Sequence, residues 1–136
     1  MRDDVQTVLA AFDAFAARDL DTLLEVVDPQ LEVVPTSPVR RVSRPGPYQG
    51  HDGVRRFFSE AVSDWSFYRV TPLETRLLAP GLVAVEGTVV VSDSEGGLGS
   101  FAGWVFTLAK RRIVRLETFL TREAFAGRLA AVGVAG

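Results

Sequence analysis

From Phe67 onward apolar residues recur at every second position, and the alternation runs to Leu120, broken only by three turn signals. The signals are Ala79-Pro80-Gly81, Asp93 to Gly97, and Lys110-Arg111-Arg112. They divide the stretch into expected strands at Phe67–Leu78, Leu82–Ser92, Gly99–Ala109 and Ile113–Leu120. Strands joined by connections this short pair antiparallel. A sheet of this kind has an apolar face that cannot stay in water, so another part of the chain has to cover it.

The cover is written before the strands. Val5, Val8, Leu9, Phe12, Phe15 and Ala16 form one apolar stripe at helical spacing, with Asp3 or Asp4 as the expected cap. Asp19 is the expected cap of a second, shorter helix carrying Leu20, Leu23, Leu24 and Val27, and Asp28-Pro29 is expected to end it. Leu31 to Val34 reads as a short strand. Gly50 to Asp52 opens a third helix, with Asp52 as its expected cap and Val54, Phe57, Phe58, Ala61, Val62 and Trp65 as its buried stripe. Between them, Pro35 to Pro47 carries four of the seven prolines and Arg40, Arg41 and Arg44. A loop of about a dozen residues is long for a small domain and is commonly functional.

Composition narrows the chemistry. The 136 residues suit one domain, 1–136, with a single core; 47% are hydrophobic and 24% charged, an ordinary globular balance. A net charge of -2 supplies no basic field for nucleic acid, so no nucleic-acid partner is expected. With no cysteine, disulfides, thiolate catalysis and cysteine-ligated metal centres are excluded. His51 is the single histidine, so a multi-histidine metal site cannot be built within one chain, and neither metal nor cofactor is expected. No apolar run approaches the ~20 residues of a membrane span. The acidic start, Met1-Arg2-Asp3-Asp4, is unlike a signal peptide; the expected location is the cytoplasm.

Three helices, a strand and a run of antiparallel strands resemble the nuclear transport factor 2-like fold, and more closely its SnoaL-like branch, relatives of polyketide cyclases. The resemblance rests on Pro47-Tyr48-x-Gly50-x-x-Gly53-Val54-x-x-Phe57-Phe58, on Trp65, and on Arg112-Ile113-Val114-Arg115-Leu116-Glu117-Thr118-Phe119 leading into Arg122-Glu123-Ala124. It implies an α+β cone: a curved antiparallel sheet, three N-terminal helices and a short C-terminal helix enclosing an apolar pocket. The family includes isomerases, cyclases, epoxide hydrolases, dehydratases and members of no known activity, so the fold leaves the function open. Three readings follow. The first is a protein binding a small hydrophobic or polycyclic molecule. The second is an isomerase, cyclase or hydrolase with an acid–base residue in the pocket. The third is a dimeric interaction module.

Strand alternation assigns the faces. On the last strand Val114, Leu116, Thr118 and Leu120 share one face, and Ile113, Arg115, Glu117 and Phe119 the other. The resemblance to epoxide hydrolases puts their cavity acid at Thr118, which cannot act as a base at neutral pH. Their Arg-x-Asp pair is replaced by Glu86-Gly87-Thr88-Val89. The ketosteroid isomerase constellation needs a tyrosine where the first helix offers Phe12 and Phe15. The remaining proton-carrying candidates are Glu32, His51 and Glu117. Glu32 and Glu117 face outward on the expected register, and His51 sits at a turn. The expected pocket lining is Phe12, Phe15, Val33, Tyr48, Phe58, Trp65, Val89, Trp104, Leu116 and Thr118. Glu86, Thr88, Val90, Arg115 and Phe119 make a mixed outer face suited to pairing, and a homodimer is expected.

Overall fold

The computed structural model describes residues 3–35, 48–56, 67–93, 96–119 and 121–132. The loop arginines Arg40, Arg41 and Arg44, and the candidates Phe58 and Trp65, lie outside them, as do the side chains of Val33 and Tyr48.

Helix α1 (Asp4–Ala16) starts where Asp3 accepts a hydrogen bond from the Gln6 backbone N–H at 2.8 Å and the Gln6 side chain accepts one from the Asp3 N–H at 3.1 Å. This reciprocal cap satisfies two of the backbone donors that a helix start leaves open. Helix α2 (Leu20–Val26) is capped by Asp19, which accepts from the hydroxyl and backbone N–H of Thr22. Those two bonds hold the Asp19 carboxyl below its usual range. The helix ends at Val26, before Asp28-Pro29, because Val27 is already extended and opens strand β1 (Val27–Pro35). Strand β2 (Tyr48–Gln49) and helix α3 (Gly50–Arg56) follow. Asp52 lies inside the first turn of α3 and pairs with Arg55, so it is not the cap that the sequence suggested.

Strands β3 (Phe67–Ala79), β4 (Leu82–Asp93), β5 (Gly96–Ala109) and β6 (Arg112–Phe119) form the expected meander, and helix α4 (Arg122–Ala131) closes the chain, capped by Thr121. The six-stranded sheet is open, in the order β2-β1-β6-β5-β4-β3. It is mixed rather than wholly antiparallel, because the early strand β1 lies parallel to β6. That pairing joins strands far apart in sequence, and no turn signal announces it.

Two turns use left-handed backbone. At the β5–β6 turn Lys110 (φ 52°) and Arg111 (φ 65°) both adopt left-handed backbone, the geometry that matches a two-residue hairpin to strand twist. At the β3–β4 turn Gly81 has φ 80°, and a Cβ there would lie 2.8 Å from the Leu108 carbonyl oxygen. The Gly81 N–H donates to Asp4 Oδ2 at 2.8 Å and its carbonyl accepts from the Leu108 N–H, tying α1, the turn and β5 together.

The sheet buries both faces. On the inner face α1 and α2 cover Val83, Val85, Trp104, Phe106, Leu108 and Ile113. On the outer face α4 covers Ala84, Val105 and Phe119 with Phe125 and Leu129. Gly103 is the socket for Phe125: a Cβ added there would lie 2.6 Å from the ring. Phe119 is therefore 3% exposed and cannot belong to an outer pairing surface, since α4 has taken its place.

Alternation along β6 is interrupted. Leu108 pairs with Ile113 and Thr107 with Arg115, which leaves Val114 as an extra residue. This bulge turns Ile113 inward, where it is 3% exposed, and corrects the expected register in which Ile113 faced out and Val114 in.

Thr7 is 1% exposed and its hydroxyl has no hydrogen-bond partner among the described residues. An unsatisfied buried hydroxyl is a cost that an isosteric methyl removes. Thr7→Val is expected to raise unfolding stability by about 1 kcal/mol in denaturant titration; a loss of stability would mean the hydroxyl is satisfied.

Candidate functional site

The inner face is built around three rings. Phe12 of α1 meets Trp104 edge to face at 5.0 Å between centroids and Phe106 at 5.7 Å. Phe12 is 8% and Trp104 7% exposed, so this part of the cone is filled rather than hollow. Arrangements of this kind add about 0.5–1.5 kcal/mol per pair beyond area burial.

Burial falls away from this trio along the strands. On β4 it passes from fully buried Val83 and Val85 to half-buried Val89, on β5 from Ala102 to exposed Ser100, and on β6 from Ile113 to half-buried Leu116 and Thr118. Register aligns these residues: Trp104 stands opposite both Val85 and Thr118, Ala102 opposite Gly87, and Ser100 opposite Val89, which pairs on its other side with Val70. Val70, Val89, Ala102, Leu116 and Thr118 thus form an apolar wall bearing hydroxyls at Thr118 and Ser100. Gly87 is required in that wall. The β3 bulge at Leu73 brings the Thr71 carbonyl so near that a Cβ on Gly87 would lie 2.0 Å from it.

Of the expected lining residues, the structure brings Phe12, Val89, Trp104, Leu116 and Thr118 to this face. Phe15 packs against the same core and also carries the Arg18 guanidinium 4.8 Å above its ring. Val33 pairs through its backbone with Leu116, and Tyr48 with Val33.

The three candidate proton carriers lie elsewhere. Glu117 points to the outer face, is 5% exposed, and accepts two hydrogen bonds from Arg128 of α4, from Nε at 2.9 Å and Nη2 at 3.1 Å. Arg115 Nε stands 4.0 Å from the same carboxylate. Glu32, also outward, accepts from Arg115 Nη1 at 3.0 Å. His51 lies in the first turn of α3, its Nε2 2.9 Å from the Val27 carbonyl oxygen. On the inner register of β3 to β6, no described side chain is ionisable. Such a wall offers apolar surface, its Ser100 hydroxyl donates to the Phe101 carbonyl at 3.1 Å, and it carries no proton-transfer group among the described residues. Among the described residues no cluster of histidine and carboxylates could hold a metal ion.

The outer position of Glu117 was readable from alternation. Its burial was not, because that depends on α4 folding back over β5 and β6.

Trp104→Ala is expected to cost about 3–5 kcal/mol in thermal or denaturant unfolding; a cost near zero would mean the ring is not core. Arg128→Met takes both of its hydrogen bonds from the Glu117 carboxylate under α4, leaving Arg115 Nε at 4.0 Å, and is expected to cost about 3 kcal/mol. Adding Glu117→Leu should restore most of that loss, so additive losses would show that the two side chains are uncoupled.

The comparisons bear on this geometry. The model of the SnoaL-like domain matches residues 8–116. Among solved structures, TerC co-crystallised with polyporic acid superposes with a TM-score of 0.78 at 22% identity, covering 93% of this chain and 98% of that one. A Mycobacterium tuberculosis protein in complex with estradiol-17beta-hemisuccinate gives 0.74 at 15% identity, covering 90% and 97%. A Sinorhizobium meliloti protein named as a candidate polyketide cyclase gives 0.66 at 25% identity, covering 83% and 93%. No curated protein matches the chain.

Proposed function

Since the chain belongs to the SnoaL-like domain family, we propose that it binds a small hydrophobic or polycyclic molecule against the inner wall of its sheet. The observation that carries this reading is the wall itself: Val70, Val89, Ala102 and Leu116 beside the aromatic trio, with hydroxyls at Thr118 and Ser100 and no ionisable group on the described inner register. Removing apolar ligand surface from water contributes about 25 cal/mol per Å², and a few hydroxyls are enough to orient the ligand. Two structurally similar proteins carry ring-containing ligands, polyporic acid and estradiol-17beta-hemisuccinate, which supports the ligand class. The same wall favours binding over acid–base catalysis, which would need a proton carrier beside the ligand.

The proposed form is a cytoplasmic homodimer. The outer face beyond α4 supports pairing, for Thr88 stands opposite Phe101, Val90 is 37% exposed, and Arg122 lies 4.8 Å above the Phe101 ring while reaching Glu86 at 3.3 Å. Phe119 is not part of it, being buried under α4, whereas Arg115 is exposed on the same register and pairs with Glu32. No helix of the described residues is long and apolar enough to cross a membrane.

Native mass spectrometry tests both features. The purified protein is expected at dimer mass with a small co-purified molecule, and added estradiol, a neutral polycyclic probe, should give one adduct per protomer. Thr118→Asp puts a carboxylate on the wall; it should abolish the adduct, preserve the dimer and lower stability by about 1–3 kcal/mol. An unchanged estradiol adduct in that variant would overturn the inner-wall site.

A further inference from the structure

Strand β3 pairs with β4 alone, and among the described residues no strand lies beyond it. Such an edge leaves alternate backbone N–H and C=O groups without a ladder partner, open to pairing with another chain. Leu73 is 69% and Leu77 56% exposed, more than any other large hydrophobic residue described. Two irregularities bound this stretch: the ladder with β4 shifts between Pro72 and Glu74 and again between Leu77 and Ala79. Between them Glu74, Thr75, Arg76 and Leu77 pair regularly with Glu86, Val85, Ala84 and Val83. Thr75 therefore shares the inner register with Val85. Glu74 and Arg76 lie on the outer register with Glu86 and Ala84, and are joined by an ion pair at 2.6 Å. Pro72 has no N–H to donate, so it marks one end of any further pairing.

The order Leu73-Glu74-Thr75-Arg76-Leu77 suits one occupant, a second copy of itself. Two such strands laid antiparallel around a two-fold axis at Thr75 put Leu73 opposite Leu77 of the other copy, and Glu74 opposite Arg76, in both directions. Apolar residues then face apolar residues, and unlike charges face each other beside the ion pair that each copy already holds. Other registers fail. A slip of one residue would set an inner-register side chain against an outer one, which a continuous sheet does not allow. Centring the axis on Glu74 or on Arg76 puts like charges directly opposite and sets a leucine against Thr75. We propose that β3 is a self-association edge, through which two copies join at Leu73–Leu77 into one continuous sheet. The contact goes beyond the ligand wall and the outer-face pairing, since it uses neither face of the sheet. With a short segment from each copy it is small and reversible.

Because the chain has no cysteine, Thr75→Cys supplies a single thiol at the proposed axis. Directly opposed residues of antiparallel strands have Cα atoms about 4.5–5.5 Å apart, within the reach of a disulfide. The full chain carrying this substitution is expected to form a covalent dimer on mild oxidation, in a yield that rises with protein concentration. Outer-face pairing keeps the two Thr75 side chains on the far sides of the joined sheets and gives no such link, so the two contacts fail separately. Added Arg76→Glu or Glu74→Arg, each at an exposed side chain, should slow the cross-link at least about fivefold. Mixing those two variants should restore it as the mixed dimer, because each carries the charges that the other now needs. Should Thr75→Cys not fold, sedimentation velocity of the cysteine-free charge variants takes its place, and the mixture is expected to sediment faster than either alone. The proposal is overturned if folded Thr75→Cys gives no covalent dimer, if the charge variants cross-link at the parent rate, or if mixing them restores neither the link nor the faster sedimentation.

Discussion

The contact of Phe12 with Trp104 and Phe106 joins the helical layer to the sheet, and the rest of the structure depends on it. A lone meander would leave Val83, Val85, Leu108 and Ile113 in water, and a lone α1 would leave its own stripe there. Each element is stable because the other removes apolar surface from solvent, at about 1.5–3 kcal/mol per large side chain. Once the rings are packed, the Gly81 turn is held as well, since its N–H reaches Asp4 at the start of the same helix.

The same packing determines where a ligand could go. The ring trio fills the inner face at Val83 and Val85, and burial then relaxes toward Val89, Ser100 and Thr118. Among the described residues the inner face is filled at one end by its own core, and beyond it the strands carry small or short side chains. All three candidate proton carriers are spent on structure or on the far face. Glu117 anchors α4 through Arg128, Glu32 holds Arg115, and His51 ties α3 to β1.

Irregularities give the outer face its compartments. Gly103 lets Phe125 approach the sheet, so α4 lies across the middle of that face. Beyond it remain Thr88 and Val90, with Phe101 packed against Phe125 of α4. Near α3, the excursion of β1 between Val27 and Glu32 and the Val114 bulge open a cleft at Pro29. A regular sheet with the same side chains would have no such cleft, because its strands would stay in register and α3 would have no shelf at Pro29.

Much of this was written in the order of residues. Strand alternation from Phe67, the α1 stripe, the Asp19 cap and the outward aim of Glu32 and Glu117 are local matters: a two-residue or 3.6-residue period decides which way a side chain points from its own neighbours. The inner wall was legible for the same reason at Val89, Trp104, Leu116 and Thr118. What alternation could not supply was the parallel β1–β6 pair, the flip of Ile113, the burial of Phe119 and the excursion at Asp28 to Gln30. Each is settled by a contact between residues distant in the chain. Energies of that kind appear only after the chain has closed on itself, so local sequence determined the walls of this protein and tertiary packing decided which hollows they enclose.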